Sequence, residues 1–265
     1  MSFCLYSSHP KYAFLLADNR DDFLHRPSKE AHYWADNSNI LAGKDLKAGG
    51  TWFGVSRTGR LALLTNIREV HNIPGAPSRG ALTTDFLRGS QTTEEYLGDL
   101  EGKASQYNGF NLLCGDLCGG QLGYVTNGEQ KTMRLLKKGL YGLSNAALDS
   151  PWPKVVQGKQ KLMELVTEYG DGEVPAERII SEVLGDKQIC SEADLQTTSC
   201  GPDVERRLCP RFVRTELYGQ AYGTRSCAVL AVRWDGSCTF TESYLEKNEW
   251  RTHSFNYHLP SSIPK

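Results

Sequence analysis

The chain has 265 residues, with 30 Lys and Arg against 31 Asp and Glu and a formal net charge of −1, so no overall field favours nucleic acid or an anionic lipid surface. Its 39% hydrophobic and 10% aromatic content describes an ordinary soluble globular protein, and no run of about 18 apolar residues predicts a membrane span. Eight cysteines at irregular spacings, several inside apolar runs, predict free structural thiols in a reducing compartment rather than a disulfide frame. The amino terminus shows neither a basic leader nor a long apolar core, which predicts a cytosolic or organelle-lumen protein.

Residues 2–8 and 12–18 predict two strands joined by turn chemistry in "SHPK". "ILAGKDL", "GTWFGVS" and "RLALLTNI" predict further strands, the last two separated by Arg57, Thr58 and Gly59. Apolar residues three and four apart predict helix over about 79–106, broken at Ser90 to Thr93. "FNLLCGDL", "QLGYVTN" and "KTMRLL" return to strand, and the Gly and Pro density of "GLYGLSNAALDSPWP" predicts an ordered loop beside a short strand. Helices follow at 154–169 and 176–184, then an irregular loop at 185–211, and finally strands at 221–234, 237–245 and 249–257. Blocks of strands and helices without a βαβ rhythm predict an α+β fold of antiparallel sheets, and no linker divides residues 1–265, so one domain is expected.

The apolar run of the second strand stops in Asp18, Asn19, Arg20, Asp21 and Asp22. A turn pairing Ser7 with Tyr12 sets Ser2 opposite Ala17 and Met1 opposite Asp18, and the charges then leave the sheet beside the amino terminus. If Met1 is removed, Ser2 presents a hydroxyl and a free α-amine, a base with an unperturbed pKa of roughly 7.7–8.0. Such a base is what a serine nucleophile requires. Arg20 would favour the neutral amine and the alkoxide, and Asp21 could orient the amine. The plainer alternative is a buried, salt-bridged turn at Asn19 to Asp21 that fixes the hairpin. Asn145 likewise reads either as a turn former or as a pocket donor.

No metal is expected. Cys114 and Cys118 lack a second pair or a neighbouring His, and His9, His25, His32 and His71 read as surface or satisfied side chains. Cys209-Pro210 matches a short motif of haem-sensing proteins but arises easily by chance, and neither a Cys-x-x-Cys-His nor a phosphate-loop motif is present.

"DNRDDF" with its downstream "RPS", "ILAGKDLKAGGTWFGVSRTGRLALLTN", "YNGFNLL", "YGLSNAALDSPWPK" and "YGTRS" together resemble the transport and Golgi organisation protein 2 family, also called the NRDE family, from the first strand to about residue 257. The resemblance implies an N-terminal nucleophile hydrolase-like fold, a four-layer αββα sandwich. Carried over by residue, it implies Ser2 as nucleophile, Arg20 and Asp21 as its polar supports and Asn145 as an oxyanion donor, with Asn19, Asn108, Asn111 and Arg225 as further ligand-binding positions. Two positions depart from the family pattern: Asp22 stands where the signature ends in Glu, and Ser2 where the family commonly has Cys.

In function the resemblance implies a cytoplasmic trafficking factor, with mitochondrial or Golgi association, connected with secretion, haem trafficking and lipid homeostasis. It would bind a small amphipathic ligand, haem as cargo or an acyl-CoA, and require no cofactor. The alternative is an amidohydrolase that uses Ser2.

Overall fold

The computed structural model describes all residues except 69–71, 130, 261, 262, 264 and 265, so His71 lies outside the described residues. Strand β1 (Ser2–Tyr6) and the first half of strand β2 (Tyr12–Phe23) are largely apolar on both faces, which requires cover on both sides. Phe3, Leu5, Leu15 and Ala17 pack among helical side chains such as Leu162, Val166 and Ile179. The alternate residues Cys4, Tyr6, Phe14 and Leu16 pack among side chains of a second sheet, including Leu41, Phe53 and Leu113.

That second sheet is a meander of seven strands in chain order: β3 (Ser28–Trp34), β4 (Asn37–Asp45), β5 (Phe53–Ser56), β6 (Arg60–Asn66), β7 (Phe110–Asp116), β8 (Gln121–Thr126) and β9 (Thr132–Leu135). Its outer face packs on α1 (Gly80–Arg88) and α2 (Thr93–Glu101) through Ile40, Ala62, Leu82, Phe86 and Leu97. Thr92 and Glu95 form a reciprocal capping box that starts α2, which accounts for the break expected near Ser90.

β10 (Gly139–Leu143), β11 (Arg214–Leu217), β12 (Gln220–Arg233), β13 (Ser237–Glu246) and β14 (Glu249–His258) join β1 and β2 in the first sheet, ordered β10-β1-β2-β12-β13-β14 with β11 beside β12. This sheet is covered by α3 (Pro153–Tyr169) and by α4 (Ala176–Arg178), which continues as a π-helical turn over Ile179–Leu184. Both sheets are antiparallel, and helices cover both outer faces, so the layering is αββα as expected.

The structure corrects the sequence reading in four places. The first hairpin pairs Ser2 with Asp18 and Phe3 with Ala17, one residue away from the expected register. His9 widens the turn, because its Nδ1 accepts from the amides of Lys11 (3.1 Å) and Tyr12 (3.4 Å), and Ser7 donates its amide to Ala13 O instead of facing Tyr12. Second, β2 does not end at the charges: it runs to Phe23, because β12 pairs along it with Cys227 opposite Asn19, Ser226 opposite Arg20 and Thr224 opposite Asp21. Third, the segment 185–211 is not wholly irregular. It contains a 3₁₀ turn at Glu192–Asp194 and α5 (Pro202–Leu208), whose Pro202 opens the helix and whose acidic first turn and basic last turn suit the helix dipole. Fourth, β3 and β11 were not expected; their charged residues mask the strand period.

Candidate functional site

The polar half of β2 forms one wall of a cavity of about 340 Å³. The opposite walls come from the β4–β5 turn (Gly50, Thr51, Trp52), the end of β6, residues 78–80 at the start of α1, and Asn145 beyond β10. The rim depends on two glycines. A Cβ on Gly50 would lie 2.5 Å from the backbone carbon of Gly80, so these segments approach as closely as bare backbone allows.

Arg20 projects from β2 and is only 8% exposed. Its Nη2 donates to Asp22 Oδ2 at 2.7 Å, Nη1 reaches Ser28 Oγ at 3.4 Å, and the guanidinium lies 4.1 Å from the centre of the Trp52 ring. Burial lowers its pKa, with Asp22 opposing. Asp21, on the other face of the strand, accepts from Thr224 Oγ1 at 2.6 Å. Asn19 donates Nδ2 to Leu184 O (2.9 Å) and Arg211 O (2.8 Å), tying the cavity wall to the helical layer, and its buried Oδ1 has no partner among the described residues. A second ion pair, Arg26 Nη2 to Asp45 Oδ2 at 2.6 Å, closes the far end. Burial would raise the Asp45 carboxyl, but Arg26, the Lys47 amide and Arg20 together hold it below its ordinary value.

Met1, not Ser2, faces the cavity. Its α-amine donates to Asn19 O at 2.7 Å, and its carbonyl accepts from the Asn19 amide at the same distance. Ser2 is buried one residue behind, with Oγ donating to Asp18 Oδ1 at 2.6 Å. Burial raises the Asp18 pKa, opposed by the amino-terminal charge and the Ser2 hydrogen bond.

Asn145 lines the opposite wall. Its Nδ2 donates to Asn66 O at 2.8 Å, and its Oδ1 accepts from Arg68 Nη2 at 3.2 Å. Arg68 in turn is ion-paired with the buried Glu205 of α5. The structure therefore brings Arg20, Asp21, Asn19 and Asn145 around one cavity, with Ser2 just behind it.

Three expected positions lie elsewhere. Asn111 is fully buried, donating both of its side-chain N–H groups, to Thr65 Oγ1 (3.1 Å) and Ala146 O (2.9 Å), and accepting from the Tyr124 hydroxyl (2.7 Å), and it does not line the cavity. It braces Thr65, whose hydroxyl donates to Ser144 O beside Asn145. Asn108 Oδ1 accepts the Ile73 amide at 2.6 Å, outside the cavity. Arg225 sits at a bulge in β12 and donates to Phe23 O (3.2 Å) and Arg26 O (2.5 Å), facing a smaller space of about 90 Å³ on the other side of Arg20.

Sequence reasoning did not select Trp52, Asp45, Arg79 or Tyr222, which also line the cavity. Only "GGTW", a glycine pair followed by an aromatic, hinted at a close backbone approach there. Among the described residues no group of three or more His, Cys, Asp or Glu side chains could hold a metal, and no helix is long and apolar enough to cross a membrane. All eight thiols are free, and Cys209 of the Cys-Pro dipeptide is buried. Chemically, the cavity offers fixed charges of both signs, an aromatic face and an amide, a combination that can orient a charged or polar group.

The chain matches the family described as Transport and Golgi organisation 2 over residues 1–247. The Transport and Golgi organization 2 homolog of Mus musculus is 36% identical over 262 residues, covering 94% of each chain. The homolog from Homo sapiens shows the same identity and coverage, and Transport and Golgi organization protein 2 of Drosophila melanogaster is 24% identical over 262 residues, covering 91% of each chain. Among solved structures, penicillin V acylase from Agrobacterium tumefaciens superposes with a TM-score of 0.52 at 11% identity, covering 96% of this chain and 85% of its own. A variant of conjugated bile acid hydrolase from Clostridium perfringens also gives 0.52, at 8% identity, covering 99% of this chain and 98% of its own. At such identities the likeness is one of fold.

Proposed function

The chain belongs to the Transport and Golgi organisation 2 family, and from that premise we propose that it is a trafficking factor whose cavity holds the charged end of a small amphipathic ligand, haem or a long-chain acyl-CoA. The observation that carries this reading is Arg20, a buried cation stacked on Trp52 and facing the cavity. Carboxylates and phosphates are the groups such a planar cation takes best, and haem and acyl-CoA carry one or the other beside a large apolar part. Phe23, Trp52, Leu64 and Tyr222 supply apolar surface in the same cavity. Asn19, Asp21 and Asn145 are proposed to orient the ligand's polar end. The reading extends to roles in secretion, haem trafficking and lipid homeostasis, and to a cytoplasmic protein with mitochondrial or Golgi association.

The test is titration of the full chain with haem and with a long-chain acyl-CoA. Ser2→Ala is expected to bind as the parent does, while Arg20→Ala loses about tenfold or more in affinity. Unchanged cooperative unfolding must accompany both variants. If neither ligand binds the parent, the carrier reading is lost.

The position of Ser2 favours a second reading, an N-terminal nucleophile amidohydrolase. Ser2 lies one residue behind the cavity wall, and loss of Met1 would free its α-amine. The amine would then take the hydroxyl proton as Oγ attacks an amide carbon, and the second N–H of Asn145 Nδ2, the first being held by Asn66 O, would face the developing oxyanion. This reading requires an intact mass that lacks one methionine and an amide-cleaving activity that Ser2→Ala abolishes.

A further inference from the structure

Behind the helical layer lies a second cavity, of about 150 Å³, lined by Lys154, Gln157, Asp186, Cys190 and Cys209 among others. It is separate from the cavity at the amino terminus. Two of the eight free thiols line it, and they are neighbours: the amide of Cys190 donates to Cys209 Sγ at 2.9 Å. Cys190 is half-buried and reachable from the cavity, while Cys209 is buried.

We propose that Cys190 and Cys209 form a reversible dithiol–disulfide site, oxidised by a small-molecule disulfide, that closes the segment between them into a loop. The Cys190 thiolate attacks one sulfur of the oxidant, forming a mixed disulfide and releasing one thiolate. Cys209 then gives up its proton, attacks the Cys190 sulfur and expels the second thiolate. Two protein thiols are oxidised, and one disulfide is reduced to two thiols.

Burial and the neighbouring Cys209 push the Cys190 thiol up to about 12, while the Lys154 ammonium favours the thiolate. The pair therefore exchanges slowly at neutrality, and it reacts faster as pH rises.

The closed segment carries α5. Leu208, next to Cys209, accepts from Lys154 Nζ at 2.7 Å, and Glu205 holds Arg68, which donates to Asn145 in the first cavity. Fastening α5 thus restrains a chain of contacts that ends on the ligand-facing wall.

The test is incubation of the full chain with oxidised glutathione at pH 8.5, followed by non-reducing peptide mapping. The expected product has lost two hydrogens, links the peptides of Cys190 and Cys209, and is reversed by reductant. Cys209→Ser should instead keep glutathione on Cys190, and Cys190→Ser should form no such link. Amide exchange over residues 202–208 should slow by about tenfold or more in the oxidised form. A parent that forms no link, that keeps glutathione on Cys190, or that links either residue to Cys200 overturns the site. Unchanged exchange overturns the fastening.

Discussion

Glu205 and Arg68 stand 137 positions apart and form an ion pair in which both side chains are almost wholly buried. The pair connects α5 to the cavity, because Arg68 also donates to Asn145. Glu205→Gln removes one charge and leaves the other buried without its counter-charge, so a loss of about 3–5 kcal/mol in unfolding free energy is expected. Denaturant unfolding measures it, and adding Arg68→Met to that variant should recover part of the loss. A single variant as stable as the parent would show that the pair contributes little.

Gly158 of α3 meets β1 where a larger residue cannot fit. A Cβ there would lie 2.0 Å from Cζ of Phe3, a fully buried ring. Gly158→Ala should therefore destabilise by about 1–3 kcal/mol, despite the roughly 1 kcal/mol that alanine gains in an exposed helix. Thermal unfolding reads the effect, and Phe3→Leu in the same chain should relieve it. A rise in Tm for the single variant would contradict the close approach.

Among the described residues, Lys154 Nζ has one hydrogen-bonding partner, Leu208 O. Burial, reinforced by Arg68, lowers its pKa from the ordinary 10.5 to about 8, with Asp21 and Glu205 opposing. Between those values the unfolded chain holds a proton that the folded chain has lost, so stability rises with pH across that window. Below about pH 8 both states are protonated and the full penalty stands. The total change is about 3 kcal/mol. Subtracting the unfolding free energies of Lys154→Met, pH by pH, removes the thiols and phenols that titrate nearby. A difference that stays flat from pH 7 to 10.5 would sink the assignment.

Arg20 and Trp52 should be coupled energetically, since a guanidinium stacked on a ring at 4.1 Å in a partly dry setting contributes about 0.5–2 kcal/mol. A double-mutant cycle with Arg20→Lys and Trp52→Leu measures that term. Lysine keeps the charge but not the plane, so additive effects of the two changes would mean that the stack is not an interaction.

The apolar half of β2 was legible because Ala13 to Ala17 are buried on both faces and form an unbroken run. Its polar half was not, because what keeps Asn19 and Asp21 in the strand is contributed by Leu184, Arg211 and Thr224, too distant in sequence for any local pattern to reveal. The register slip has a similar origin in a side chain, the imidazole of His9, that spreads the turn. Arg20 and Asp21 came from the charged end of the strand and again from motif resemblance, Asn145 from the resemblance, and the cavity gathers them. Asn111 shows the limit of a motif: its amide braces Thr65 and Tyr124 away from the cavity. β3 was missed because "SKEAHYW" places charges where an edge strand meets solvent, and its bulge breaks the alternation.

The pairing of Met1 with Asn19 bears on how the protein is handled. Met1 already lines the cavity, so any residues fused before it, an affinity tag included, must thread into or across that space. Such a fusion would act as a tethered competitor at high effective concentration, and a tagged preparation could fail every binding assay while remaining fully folded. Tags belong at the other end of the chain.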